Sequence, residues 1–230
     1  MGVTFKKKME RSMTSNGRLI AIGDIHGCIK KLENLLKYLS IRNNDRVVFL
    51  GDYIGRGPNS KEVISLLIEL KEKNDNVIFL LGNHENLLLE YVRSPDDILI
   101  PYLRQQHIEA FVKSYGENDL GSLHTLSFMP KEHVEFLKSL QLYYTEQEYL
   151  FVHAGIMPGL PLEKHTAMEF CEVRDIFLES DFDIGKTVVF GHTAFEMPLV
   201  TKNKIGIDTG AVYGNVLTAV VLPEIRFYHA

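Results

Sequence analysis

An α/β fold with neighbouring parallel strands is predicted by two features of the sequence. Short β-branched or leucine-rich runs each break abruptly into glycine and polar residues, and amphipathic helical patterns separate the early runs. A third feature, a late β-rich stretch broken by Gly210, Gly214 and Pro223, predicts a closing sheet. The elements follow in order. Met1 to Asn16 show no apolar periodicity and read as a flexible lead, bounded at residue 17. Arg18 to Ile22 form the first strand and run into Gly23, Asp24, Ile25, His26 and Gly27. Ile29, Leu32, Leu35, Leu36 and Leu39 then share one helical face. Arg46 to Leu50 run into Gly51 and Asp52, and Asn59 and Ser60 supply a cap for a helix striped by Val63, Leu66, Leu67 and Leu70. Val77 to Leu81 run into Gly82, Asn83, His84 and Glu85.

Residues 86–148 break the rhythm. They read as a mainly helical insertion (Tyr102 to Tyr115, Lys131 to Leu140) with no evident strand, either a lid over a site or structural cladding. Tyr149 to Val152 then lead to His153, and Thr187 to Phe190 to Gly191 and His192. Lys204 to Asp208, Val216 to Leu222 and Ile225 to Tyr228 make the closing sheet. With neither internal repeat nor linker, residues 18–230 are expected to form one domain.

Composition narrows the function. At 45% hydrophobic and 24% charged, the 230-residue chain has the make-up of a folded globular protein, which excludes disorder. No apolar run reaches the roughly 18 to 20 residues of a membrane span, and no apolar core follows Lys6, Lys7 and Lys8, so a cytoplasmic protein without a membrane partner is expected. Cys28 and Cys171 fit neither a disulfide framework nor a zinc spacing and read as reduced thiols. A formal net charge of -5 argues against bulk binding of nucleic acid, so any phosphate chemistry needs local cations.

Five strand ends stop at Asp24 and His26, Asp52, Asn83 and His84, His153, and His192. Loops after strand C-termini converge on one edge of an α/β sheet. Asp, Asn and His are costly at buried strand ends unless something compensates their desolvation, and a divalent metal does so. Carboxylate, imidazole and amide oxygen without thiolate fit a catalytic site for manganese, iron, zinc or magnesium. Two such ions would use six ligands and clamp both oxygens of a displacement at phosphorus.

These motifs, in this order and with Gly51 to Gly57 and Gly206 to Gly210, resemble the calcineurin-like metallophosphoesterases, and within them the phosphoprotein phosphatase branch with its bacterial serine/threonine phosphatases. The resemblance extends over nearly the whole chain from Arg18. It implies a two-sheet mixed β sandwich flanked by helices. It further implies two divalent ions, manganese first among them, with Asp24 and His26 on one, Asn83, His153 and His192 on the other, and Asp52 bridging. A hydroxide held between the ions would attack phosphorus in line. His84 resembles the general acid, Arg56 and Arg174 the arginines that grip phosphate with Asn83, and Tyr213 a residue bordering the site.

Two departures bear on substrate. Gly55 stands where those phosphatases usually carry the Asp that orients the catalytic His, and a small residue there resembles the symmetrical diadenosine tetraphosphate hydrolases of the same superfamily. His26 points back to the phosphatases, because the hydrolases often carry Gln in its place. Cys171 and Glu172 replace a large apolar pair before Arg174. The first reading is therefore a serine/threonine phosphomonoesterase acting on phosphorylated protein, and the alternative a symmetrical diadenosine tetraphosphate hydrolase. An Asp restored at 55 is expected to raise turnover of phosphoserine more than that of aryl phosphates. His107, His124, His133, His165 and His229 are read as surface or satisfied structure, and a catalytically silent binding scaffold is disfavoured because every expected ligand is present.

Overall fold

The computed structural model describes residues 17–230, so the expected flexible lead and its lysine run lie outside the described residues. Along the chain run β1 (Leu19–Ile22), α1 (Ile29–Leu39), β2 (Arg46–Phe49), α2 (Ser60–Lys73), β3 (Val77–Phe79), α3 (Asn83–Arg93), α4 (Ile100–Gln105), α5 (Ile108–Ser114) and α6 (Lys131–Lys138). They are followed by β4 (Tyr143–Glu146), β5 (Tyr149–Val152), α7 (Ala167–Glu172), α8 (Asp175–Leu178), β6 (Thr187–Phe190), β7 (Leu199–Val200), β8 (Lys204–Gly206), β9 (Thr218–Leu222) and β10 (Arg226–His229).

The strands form two five-stranded mixed sheets, ordered β10-β9-β1-β2-β3 and β4-β5-β6-β8-β7. In the first, β1, β2 and β3 are parallel while β9 and β10 run antiparallel. In the second, β5, β6 and β8 are parallel and β4 and β7 antiparallel. The sandwich follows from the two-residue period of strands. Leu19 and Ala21 of β1 meet Tyr149 and Phe151 of β5 and Val189 of β6 in the layer between the sheets. Ile20 and Ile22 face α1, α2 and the insertion, whereas Leu150, Val152, Val188 and Phe190 face α7 and α8. Each central strand is thus apolar on both faces, the reason its sequence is a continuous hydrophobic run.

Four expectations need correction. The late strands do not make one closing sheet: β8 joins the second sheet, while β9 and β10 complete the first beside β1. The insertion does contain a strand, β4, paired antiparallel with β5; its half-exposed edge position hides it from a hydropathy reading. Asn59 precedes α2 but makes no side-chain cap; its backbone N–H donates to Gly27 at 3.2 Å and so ties the helix start to the first strand-end loop.

The helix expected over Tyr102 to Tyr115 is two helices, broken where His107 takes a left-handed φ of 57°. Leu103, Ile108, Phe111 and Val112 bury the insertion against the first sheet's helical layer. Among the described residues no helix is long and apolar enough to cross a membrane.

Candidate active site

Parallel order puts the loops of each sheet at one end, and the sandwich brings the two sets together at one edge. Four non-glycine residues of these loops, His26, Asp52, Arg56 and His192, hold φ between 45° and 64°. Such backbone costs roughly 1–2 kcal/mol per residue and survives only where surrounding contacts fix it. The Glu85 carboxylate supplies many of those contacts. It accepts backbone N–H groups from Asp52 (3.0 Å), Tyr53 (2.9 Å), Ile54 (3.0 Å) and Gly82 (3.2 Å), clamping the β2 loop to the first turn of α3. The sequence reading gave Glu85 no role, although an acid in a helix's first turn after a strand-end glycine is a signal for such anchoring.

The predicted residues gather, with one rearrangement. His26, Asp52 and His84 form one buried triad able to hold a metal ion, and Asp52, His153 and His192 form a second, with Asp52 common to both. Asn83 Oδ1 meets the second triad, 3.2 Å from His153 Nε2 and 3.1 Å from His192 Nδ1. His84, expected as an acid rather than a ligand, completes the first triad, its Nε2 3.9 Å from Asp52 Oδ2. Asp24 stands outside both triads: its carboxylate crosses to the second sheet and accepts the His192 N–H at 3.0 and 3.2 Å. Gly191 allows that approach, since a Cβ there would strike Asp24 Oδ1.

The donor set fits divalent cations. His26 donates Nδ1–H to the Ile54 carbonyl at 3.1 Å, and His153 donates Nδ1–H to the Leu50 carbonyl at 2.8 Å. Each Nε2 is therefore left with a lone pair, and each faces an Asp52 oxygen, at 3.3 and 3.5 Å. Acceptor facing acceptor in a buried site is the arrangement a cation between them relieves. His192 Nε2 is likewise buried without a partner.

Electrostatics point the same way. Burial pushes His26 down to about 3 and His153 to about 4, and lowers His192 and His84 as well, so all four rings stay neutral. Burial, together with Asp208 and Asp52 nearby, raises Asp24; burial also lifts Asp52 to about 7, and Glu85 to about 7 with the Asp52 charge adding to it. Asp208, buried and raised by burial, accepts the Gly210 N–H at 2.9 Å. Arg56 and Arg174 offset this cluster of buried carboxylates only in part, and the remainder calls for bound positive charge.

Beside the triads opens a cleft of about 460 Å3 whose wall includes Arg56, Asn83, His192 and Arg174. Among the described residues neither arginine has a carboxylate within salt-bridge reach; Arg56 sits 5.4 Å from the ring centroid of exposed Tyr213. The insertion contributes Leu99, Tyr102 and Gln106, so part of it walls the cleft while the rest is cladding. Sequence reasoning missed these three because nothing in a helical pattern tells which turn faces a distant loop.

Gly55 is where the insertion touches the catalytic loops. Its φ is +78°, and a Cβ there would run into His84 Nδ1 and lie 2.7 Å from the Gln106 carbonyl oxygen. The space expected for an orienting Asp is taken by the His84 ring and the Gln106 carbonyl. Restoring Asp at 55 therefore cannot be the simple gain expected from sequence. The other histidines behave as read: His133 lies between Tyr115 Oη (2.7 Å) and Ser65 Oγ (3.2 Å), and His165 accepts the Met157 N–H at 2.8 Å. Both cysteines are free thiols.

A two-sheet αββα sandwich with a buried His/Asp cluster at its strand-end edge defines a metal-dependent phosphoesterase scaffold, and the profile of the calcineurin-like phosphoesterase family matches residues 17–204. The chain belongs to that family and is a hydrolase of phosphate esters. More particularly, it is 31% identical to a bis(5′-nucleosyl)-tetraphosphatase of the asymmetrical type from Oceanobacillus iheyensis, over 90% of this chain and 89% of that one. It is 27% identical to a symmetrical bis(5′-nucleosyl)-tetraphosphatase from Wigglesworthia glossinidia brevipalpis, over 90% and 96%. A crystal structure of a protein proposed to be a diadenosine tetraphosphatase superposes with a TM-score of 0.70 at 26% identity, covering 94% of each chain. A Saccharomyces cerevisiae serine/threonine phosphatase shares the fold at 16% identity, with a TM-score of 0.63 over 95% of this chain and 80% of that one.

Proposed function

We propose that this protein hydrolyses dinucleoside tetraphosphates, the alternative of the sequence reading, in preference to phosphorylated proteins. The observation that carries the proposal is the crowding at Gly55. No carboxylate can stand against His84 Nδ1 to stabilise its protonated form, because the Gln106 carbonyl and the His84 ring take the room. A serine alkoxide needs a strong proton donor to leave, whereas the phosphate released from a phosphoanhydride is a weak base and leaves with little help. The similarity to tetraphosphatases over nine-tenths of the chain supports the same reading.

In this proposal two divalent ions, with manganese the first choice, take Asp24, His26, Asp52, Asn83, His153 and His192, and supply acidified water and charge neutralisation at phosphorus when bound. Arg56 and Arg174 grip the phosphate oxygens, which two guanidinium forks can do in a fixed geometry. His84 hydrogen-bonds the leaving oxygen as the bridging P–O bond breaks and water supplies the new oxygen on phosphorus. Glu85 keeps Asp52 and the α3 start in place.

The test strips the protein with chelator, restores manganese, and measures kcat/KM for diadenosine tetraphosphate and a phosphoserine peptide side by side. Preference for the dinucleotide is expected, and the nucleotide products, two ADP or ATP with AMP, identify the bond broken. Preference for the peptide would overturn the proposal.

A further inference from the structure

We infer that the cleft holds a nucleoside-binding subsite in which Tyr102 of the insertion and Met168 of α7 hold an aromatic base; this rests on the dinucleotide reading above. The cleft is lined by two unlike sets of side chains: Arg56, Arg174, Asn83 and His192, which border the triads, and the apolar Leu99, Tyr102 and Met168. Tyr102 is 56% and Met168 55% exposed although both line a concavity, an uncommon placing for large apolar side chains unless a ligand covers them.

Three of the lining residues offer acceptors. Gln106 donates its amide N–H to the Asn83 carbonyl at 3.4 Å, which leaves Oε1 buried with no partner. Glu90 and Glu172 also line the cleft, and among the described residues neither forms an ion pair within 4 Å. Carboxylates repel further phosphate, but they accept from sugar hydroxyls and exocyclic amines, which a nucleoside supplies in the company of a flat apolar ring. Helix α3 sets the distance. Asn83, Leu87 and Glu90 share its cleft face, and Glu90 lies seven residues, about 10 Å, beyond Asn83. That offset suits a nucleoside joined to the reacting phosphorus through more than one phosphate.

The experiment titrates ADP and inorganic pyrophosphate separately into the manganese-loaded protein and reads two dissociation constants. Wild type is expected to bind ADP more tightly than pyrophosphate. Tyr102→Ala should weaken ADP roughly tenfold, the scale of a lost base–aromatic stack, and move pyrophosphate far less; Tyr102→Phe should retain ADP. Met168→Ala should shift ADP in the same direction by a smaller factor. Equal affinity of wild type for the two ligands, or equal weakening of both in Tyr102→Ala, would overturn the subsite. Failure of the dinucleotide reading is registered separately, by wild-type turnover, and does not depend on these constants.

Discussion

The strand-end loops and the helical insertion meet at Gly55, yet opposite forces hold them. The loops are polar, buried and conformationally strained: His26, Asp52, Arg56 and His192 all have positive φ, and their order depends on Glu85 and on backbone carbonyls. The insertion is held by apolar packing, with Phe111 set edge-on to Tyr115 and Phe128 at ring separations of 5.3 and 5.9 Å. Strain with a dense hydrogen-bond network tolerates little change in any one group, whereas apolar packing degrades by increments. If the proposed function holds, the difference separates two tasks: the loops would govern whether the chemistry runs, and the part of the insertion that walls the cleft would bear on which substrates reach it.

Substitutions can break that division at either side. The largest effect is expected at Asp52, shared by both triads. Asp52→Asn should cut manganese affinity and turnover by at least about a hundredfold, the upper end for groups that support a metal site, while the metal-stripped variant unfolds no earlier than wild type, since a repelled buried charge has been removed. Metal content and a thermal melt on the same sample check this; a large fall in Tm with metal retained would break the contrast. In the insertion, Phe111→Ala should cost about 3–5 kcal/mol of stability and lower Tm by roughly 10 °C, with kcat on the folded fraction nearly intact.

Gly55→Asp tests the junction itself. The side chain meets the His84 ring and the Gln106 carbonyl at a left-handed φ, so a loss of about 2–4 kcal/mol is expected. Phosphoserine turnover should fall rather than rise; a rise would show that the insertion yields to make room.

The smallest expected effect concerns pH. Burial lowers His133, which stays neutral between Tyr115 and Ser65. The unfolded chain then binds more protons below the ordinary histidine value of 6.5, so stability is full above that pH and is lost as pH falls through it towards the lowered folded value. His133→Gln should cost about 1 kcal/mol at neutral pH and flatten the acid limb of a chemical-denaturation series taken from pH 7.5 downward. An unchanged acid limb would place the insertion's pH response elsewhere.

The loops were far more legible than the insertion, for a physical reason. Asp24, His26, Asp52, Asn83, His153 and His192 each follow a continuous apolar run, so their place at strand ends is readable, while the meeting of the two sheets' ends depends on the sandwich. Glu85 and Asp208 were visible as letters in the same motifs, but their tasks, anchoring N–H groups and adding buried charge, depend on depth, which a pattern does not carry. That His84 as well as His26 comes within 4 Å of Asp52 depends on side-chain reach, which spacing does not carry. Tyr102 and Gln106 were lost altogether because their meaning comes from which loop they face. β8 was misassigned for a related cause: a short strand reads the same whichever sheet it joins.

One pairing in the first sheet has a consequence for biosynthesis. β1, which carries the loop of Asp24 and His26, lies between β2 and β9, with Leu19 registered against both Arg46 and Leu222. Until the ribosome has released β9, β1 is an open edge and the loop it positions lacks one wall, including the Gly23 N–H bond to the Thr218 carbonyl at 3.0 Å. At about 5–20 residues per second, the roughly 200 residues between the two strands leave the nascent chain about 10–40 s without its first complete sheet. A metal centre that depends on that loop is therefore completed only once β9 has been made, and a tag or truncation that disturbs β9 would reach the ligands together with the core that β9 helps to build.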